Sequence, residues 1–488
     1  MISERNLLIL CGLALIASIL AVVFRAETLD LEAALLALAI MWVAGIPVIR
    51  YLRQLPEERP ILPMEALVGA FYAVFFGLPV FFVHYLESKD LSGLEFYSLV
   101  TIDKVSIEAL VLVLLGLVGM LSAWWLMRVF CSPSIPGLSF GFGTEDEGKR
   151  RALVWMAWGL ALGHITYMLS PELQSLPSIG QFLRPAGFVA FSLFFLIPGK
   201  GRSIKWHRLA YFFLILPVWL GSMVASGFMT AMIYLMVLTV LLFMYRGVRL
   251  PWKSAIVISL LVIVVYPHMT EFRVTESGIW RGEKHLSAIE KTTKLVRLVI
   301  SRTMETGLGT QKSDRPFTGL VRRISHILTF SHVVENTPEP IPYWKGTTYQ
   351  TLLTGWVPRL IWRDKPEERW GNVFAHRYGI LAPDIRPRER HMSINIPWIT
   401  ELYANFGRSG VLIGMAMIGM FLGLLETFFN RPQAELPVQA MGVGVLLPLF
   451  YQESNFTLMT GSLLPLIVSL WLYFHFGLKI GAVTGRKA

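Results

Sequence analysis

Between residues 271 and 408 the chain carries a dense set of arginines: Arg273, Arg281, Arg297, Arg302, Arg315, Arg322, Arg323, Arg359, Arg363, Arg369, Arg377, Arg386, Arg388, Arg390 and Arg408. A guanidinium presents a planar fork that grips phosphate oxygens in pairs and stays charged at any cellular pH. Gathered beside a membrane, such groups suit a lipid-linked diphosphate. The same fixed charge would stabilise a departing diphosphate in glycosyl transfer. They could instead meet anionic lipid headgroups, or pair with Glu367, Glu368, Asp384 and Glu389. Pro358 and Pro366 restrict the backbone around Arg359 and Lys365, so these two charges are expected to be held in place.

Proton transfer needs a different kind of residue. His326 lies one helical turn from Arg322, and an imidazole of pKa about 6.5 suits deprotonation of a sugar hydroxyl. The plainer reading is a histidine hydrogen-bonded within an amphipathic helix. Glu401, followed by Tyr403 and Asn405, stands where an apolar run begins, and an acidic side chain at membrane depth is costly unless paired. It reads either as a general base or as the partner of an arginine. His332, His376 and His391 are further imidazoles. The run Gln452-Glu453-Ser454-Asn455 interrupts apolar sequence and is expected to line a cavity, for sugar binding or for helix–helix hydrogen bonds. Arg184, near the end of another apolar run, is placed to reach a diphosphate.

No H-E-x-x-H, Cys-x-x-Cys, Walker loop or dinucleotide fingerprint occurs. Asp30-Leu-Glu32 is similar to the acidic pair of metal-dependent membrane glycosyltransferases, but helix-end carboxylates are commonplace. No metal, no cofactor and no nucleic acid is expected.

The elements that must position these residues follow from composition. Of 488 residues 54% are hydrophobic and only 16% charged, with a net charge of +11. A soluble chain would hold about 25% charged residues. Apolar runs of about twenty residues recur, each long enough to cross a bilayer core as a helix. Expected spans cover 7–24, 33–49, 64–86, 106–129, 152–170, 181–198, 209–225, 228–245, 254–270, 409–429, 437–454 and 458–477. The first has only Arg5 ahead of it and lacks a small-x-small cleavage pattern, so it reads as a retained helix and not a signal peptide. One set of short loops concentrates basic residues, among them Arg50, Arg53, Lys149 to Arg151, Arg202, Arg246 and Arg249. That set, with both termini, is assigned to the cytoplasm. Cys131 then faces the cytoplasm and a disulfide with Cys11 is not expected.

The fold expected is all-α and polytopic: nine spans in 1–270, a large, mostly helical loop at 271–408 outside the membrane, and three spans with a cytoplasmic tail in 409–488. Within the loop, Lys284–Thr306 has helical spacing. Over 320–334, Leu320, Ile324, Ile327, Leu328 and Val334 share one face, while Arg322, Ser325, His326, Thr329 and His332 fall on the other. Asn336-Thr-Pro-Glu-Pro-Ile-Pro342 ends that helix. A third element, Ile394–Phe406, leads directly into the span at 409.

A family resemblance enters on the order of short motifs. Tyr349, Val357-Pro358-Arg359, Trp362 and Lys365-Pro366 together resemble the "Y…(I/V)PR-x-x-W-x-x-KP" segment of Wzy-type oligosaccharide repeat-unit polymerases. Gly371-Asn372-x-Phe374 and Tyr378-Gly379 follow in the same order. Ser393 and Glu401-Leu-Tyr403-Ala-Asn405-Phe406-Gly407-x-x-Gly410 are similar to the family's "S…E-x-Y-x-N-F-G-x-x-G" ending, and the basic pair Arg322-Arg323 precedes them. The resemblance covers roughly 320–415. It departs at Ala225-Ser-Gly-Phe-Met-Thr230, where the family often carries an arginine. It implies a GT-C-like glycosyltransferase of the bacterial inner membrane, polymerising polyprenyl-diphosphate-linked oligosaccharides at the outer face without metal, with membrane lipid, a chain-length regulator and a flippase as partners. His326, Glu401 and Arg359 would then be catalytic. Arg322, Arg323, Arg184, Arg273, Tyr349, Lys365, Asn372, Arg377, Tyr403, Asn405, Gln452 and Glu453 would bind substrate. An O-antigen ligase, which passes glycan to lipid A core, and a lipid-linked-oligosaccharide flippase or other transporter are the alternatives.

Overall fold

A long apolar run satisfies its backbone in hydrocarbon only by closing hydrogen bonds on itself. The computed structural model is helical accordingly, with no strand among the described residues. Those residues are 30–55, 58–83, 104–131, 135–143, 146–176, 178–199, 202–226, 230–247, 288–306, 321–355, 357, 361–362, 364–365, 370–380 and 394–485. The expected spans 7–24 and 254–270 lie outside them.

Among the described residues, seven helices are long and apolar enough to cross a membrane: α1 (Leu31–Arg53), α2 (Met64–Phe82), α3 (Ile107–Cys131), α4 (Glu147–Leu169), α5 (Ile179–Leu196), α11 (Trp398–Phe429) and α13 (Phe456–Ile480). Between α5 and α11 lie α6 (202–226), α7 (Thr230–Tyr245), α8 (Ala288–Thr306), α9 (His326–Asn336) and α10 (Trp370–Arg377). The short apolar α12 (Leu436–Phe450) precedes α13.

Caps set the boundaries that hydropathy leaves loose. Asp30 accepts the Glu32 N–H at 3.0 Å, so its carboxylate opens α1, a structural role for the Asp30-Leu-Glu32 pair. Ser106 opens α3, and Asp146 opens α4 by accepting the Lys149 N–H at 3.0 Å. Helix α2 loosens into a π turn at Ala73–Gly77 and a 3₁₀ turn at Leu78–Phe82, where Pro79 lacks a donor.

Helices α1, α2, α3 and α11 form one tightly packed group. Gly69 of α2 meets the Ala44 carbonyl of α1, and Gly419 of α11 meets the Met120 carbonyl of α3; a Cβ at either would collide with backbone. A second group joins α4, α5, α12 and α13. Helix α9 is inserted between α2, α3 and α11.

Helix α11 fuses two expected elements. The amphipathic run before 409 and the span after it form one 32-residue helix, broken at Gly407, whose φ of 66° and ψ of −150° belong to a region that glycine alone adopts readily. Carbonyls freed by the break are taken up by the chain before it: Trp344 N–H donates to Ala404 O at 2.9 Å, and Lys345 N–H to Asn405 O at 3.1 Å.

Candidate functional site

The site begins with a correction. The periodicity of 320–334 predicts one helix with His326 and Ser325 on its polar face. Instead the helical residues 321–324 end at Ser325, whose hydroxyl donates back to the Val321 carbonyl at 2.5 Å. Helix α9 then starts at His326. Both of its faces are covered: His326 is 6% exposed, and Ser331, fully buried, accepts the Ser106 N–H of α3 at 3.0 Å. The polar face packs onto the aromatic inner side of α2, where the His326 ring stacks on Phe75 at 5.0 Å and 17° and lies near Phe71 and Phe76. Periodicity identifies a polar face; it does not say what will cover it.

The loop between α12 and α13 meets His326 from the other side. Pro448 and the 3₁₀ turn at Leu447–Phe450 stop α12 short, and Gln452, Glu453 and Asn455 are buried in the interior. Glu453 forms an ion pair with Arg323, and its Oε1 lies 3.5 Å from His326 Nε2. The Tyr72 hydroxyl of α2 donates to Gln452 Oε1 at 3.1 Å, while Gln452 Nε2 is buried with no protein partner among the described residues. A buried amide donor of that kind is suited to an oxygen of a ligand or water.

These contacts set the protonation states. Glu453 is buried, and the Arg323 guanidinium pairs with it while the His326 ring lies beside it, so its carboxylate form is the one that is compensated. Burial pushes the His326 imidazole below its ordinary value, against the opposing pull of Glu453. The array at neutral pH is thus a carboxylate paired with Arg323 and facing a neutral imidazole. A carboxylate beside Nε2 selects the Nε2–H tautomer and leaves Nδ1 as the basic nitrogen. A contact of 3.5 Å is long for a hydrogen bond, as such pairs often are before substrate is bound.

Glu401 belongs to a separate knot. Fully buried, its Oε2 accepts the Phe456 N–H at 2.6 Å at the start of α13. Asn405 accepts the Gly346 N–H at 2.9 Å and donates to Thr348 Oγ1 at 2.9 Å and to Glu401 O at 2.8 Å. Tyr349 stacks on Phe406 at 5.9 Å; burial, then the Glu401 charge, push its phenol well up. Tyr403 donates to Thr337 O at 3.3 Å. These residues of the Glu-x-Tyr-x-Asn-Phe-Gly run tie segment 337–349 to α11.

Other expected binding residues lie apart from His326. Lys365 donates to Gly355 O at 2.6 Å and Val357 O at 3.1 Å, so its charge closes a loop. Arg377 binds the Pro342 carbonyl and lies over the Trp344 ring, and Arg184 lies over Tyr167. Asn372 is buried on α10. Arg322 adjoins Arg323 in the turn before α9. Arg359 and Arg273 lie outside the described residues. Arg323, Arg377 and Arg408 thus engage separate points: Arg323 pairs with Glu453, Arg377 meets the Pro342 carbonyl, and Arg408 pairs with Glu108 at 2.6 Å.

Tyr72 and Phe75 were not singled out from sequence. A tyrosine in the middle of an apolar run is the signal that could have found the first, since a buried hydroxyl needs a partner.

Residues 150–434, well over half of the chain, match a family described only as a domain of unknown function, DUF8712. The chain belongs to that family. No curated protein and no solved structure matches it. The DUF8712 stretch contains Arg323, His326, Glu401 and Gly407, whereas Tyr72, Gln452 and Glu453 fall outside it. The array therefore joins the DUF8712 stretch to helices on both sides of it.

Proposed function

We propose that this chain is a membrane glycosyltransferase that lengthens a polyprenyl-diphosphate-linked glycan at the outer face of the bacterial inner membrane. In this reading the chain has about twelve spans, with 271–408 on the periplasmic side. The observation that carries it is the neutral, buried His326 held between the Phe75 ring and a Glu453 carboxylate that Arg323 keeps ionised. The order of motifs over 320–415, similar to that of Wzy-type polymerases, supports the choice of reaction.

In the reaction, His326 Nδ1 takes the proton of the acceptor hydroxyl and the oxygen attacks the anomeric carbon of the donor. The bond from that carbon to the diphosphate breaks, and polyprenyl diphosphate leaves with the electron pair. Glu453 stabilises the imidazolium that forms, and Gln452 Nε2 donates to a sugar oxygen. The negative charge that develops on the departing diphosphate would be stabilised by the guanidinium groups of Arg322, Arg273 and Arg359. Arg184 and Arg377, engaged elsewhere, have no part in this step. An O-antigen ligase would use the same donor chemistry with lipid A core as acceptor.

One observation favours a second reading. A histidine and a carboxylate inside a helix bundle also make a proton relay, as in proton-coupled transporters. A single reconstitution separates the readings. Proteoliposomes would be given a synthetic diphospholipid-linked repeat unit, with and without lipid A core. The polymerase predicts a ladder of lengthened lipid-linked products that needs no lipid A core and is lost in His326→Ala. Products found only on lipid A core would make it a ligase. No product of either kind, with solute uptake driven by a pH gradient, would make it a transporter.

A further inference from the structure

The break at Gly407 opens a groove of about 580 Å³, of a size that small ligands occupy. It lies between the C-terminal end of α9, segment 337–343 and the restarted half of α11. Its aromatic members are Tyr343, Tyr403 and Phe406, and its charged members are Glu108, Glu335, Glu339 and Arg408. Glycine at 407 is what permits this shape. Its φ is positive, and a Cβ there would stand 2.7 Å from the Tyr343 hydroxyl, so any other residue drives that ring out of place.

Three carboxylates against one guanidinium give the groove a negative balance, and Arg408 is already paired with Glu108 at 2.6 Å. A diphosphate would be repelled here. What such a lining accepts is a ligand rich in hydroxyls: carboxylates take O–H donors in strong, charge-assisted bonds, and ring faces take the apolar C–H side of a sugar. Glu335 and Glu339 are exposed and open to a ligand. The groove lies nine residues along α9 from His326, roughly 14 Å at 1.5 Å per residue, a span that a short oligosaccharide bridges.

We infer that the Gly407 groove is a glycan subsite that takes neutral or amino-bearing sugars and excludes acidic ones, holding the part of the sugar chain remote from the reacting hydroxyl. This deepens the glycosyltransferase reading and rests on it for the role of the bound chain, though not for the binding itself. On this basis the molecule separates its substrates by charge: the diphosphate end belongs with the arginines, the sugar end with the carboxylates.

The test uses the full-length chain in nanodiscs, probed on an array of neutral, amino and uronic-acid-containing bacterial oligosaccharides. Retention of neutral or amino glycans and rejection of uronic acid glycans is expected. Tyr343→Ala should weaken retention about tenfold, the loss of one well-placed aromatic anchor, and Tyr343→Phe should restore it. Glu335→Lys with Glu339→Lys, both at exposed positions, should admit the acidic glycans. His326→Ala should abolish chain lengthening and leave array binding unchanged. Failure to retain any glycan, or equal retention by Tyr343→Ala and by the double lysine variant, would overturn the inference. If no lengthening occurs but retention depends on Tyr343, the transferase reading falls and the subsite stands.

Discussion

Helices α1, α2, α3 and α11 carry an ionic cluster at one end and border another toward the opposite end, and the two are made of different groups. At the first, Arg50 of α1 pairs with Glu65 of α2, and Arg128 of α3 reaches both Glu65 at 3.1 Å and Glu426 of α11 at 2.8 Å. Trp124 Nε1 donates to the same Glu426 at 3.0 Å, and Asn430 ties Glu426 to the Leu62 backbone. Two guanidiniums balance two carboxylates, one group from each of the four helices. The second cluster replaces one permanent cation with His326. A network of fixed charges can only brace; one that includes a group able to lose its charge can pass a proton. The two clusters thus give an internal control for each other.

The largest expected effect breaks that comparison at its centre. His326→Ala should lower product formation per folded molecule by about 10²–10⁴-fold, the usual share of a general base. Glu65→Gln, its counterpart in the bracing cluster, should leave the rate per folded molecule unchanged. If the two results were exchanged, the roles assigned here would be reversed.

Next in size is a backbone change. Gly407→Ala should cost about 2–3 kcal/mol through the positive φ and the collision with Tyr343, seen as a lower midpoint of thermal unfolding. Glu65→Gln should cost about 2 kcal/mol by leaving Arg50 and Arg128 to share Glu426. That is less than a fully buried pair would cost, because both arginines are partly exposed to solvent.

The smallest effect sharpens the contrast through pH. Because burial depresses the His326 imidazole, the folded site stays neutral below the ordinary value of about 6.5. The acid limb of the rate profile should therefore fall below that value. Glu453→Gln removes the group that holds the imidazole up, so the limb should move to still lower pH while the rate drops. Stability runs in the same direction. The unfolded chain gains its proton near 6.5 and the folded chain does not, so this contribution is complete above that pH and is lost as pH falls toward the folded value. A limb at or above 6.5, or one that rises in Glu453→Gln, would contradict the assignment.

Hydropathy located α1 to α5, α7, α12 and α13 to within a few residues, because a bilayer-length apolar run has one solution for its backbone. His326 and Glu453 were both legible as polar residues where polarity is costly. Their meeting was not, since nothing local brings residues so far apart in sequence to one place. The polar face that carries His326 was legible, but not its cover: the rings of Phe71, Phe75 and Phe76, on another helix, lie against it. Glu65 and Glu426 went unremarked because a charge near a helix end is common, and Arg50 and Arg128 look like ordinary loop or helix-end cations. The arginines of 271–408 were legible as a composition; Arg323, Arg377 and Arg408 among them prove to be engaged at separate points, by Glu453, the Pro342 carbonyl and Glu108.

The seam between the DUF8712 stretch and its neighbours bears on how the molecule can be dissected. A fragment cut at 150 and 434 would keep Arg323 and His326 but lose the Glu453 that Arg323 neutralises, and would keep Glu401 without the Phe456 amide it holds. Such a piece would lose one contact of Arg323 and one of Glu401. The matched stretch is therefore not a portable unit, and complementation by two co-expressed halves, each inserting with its missing counterpart, is the better way to take this protein apart.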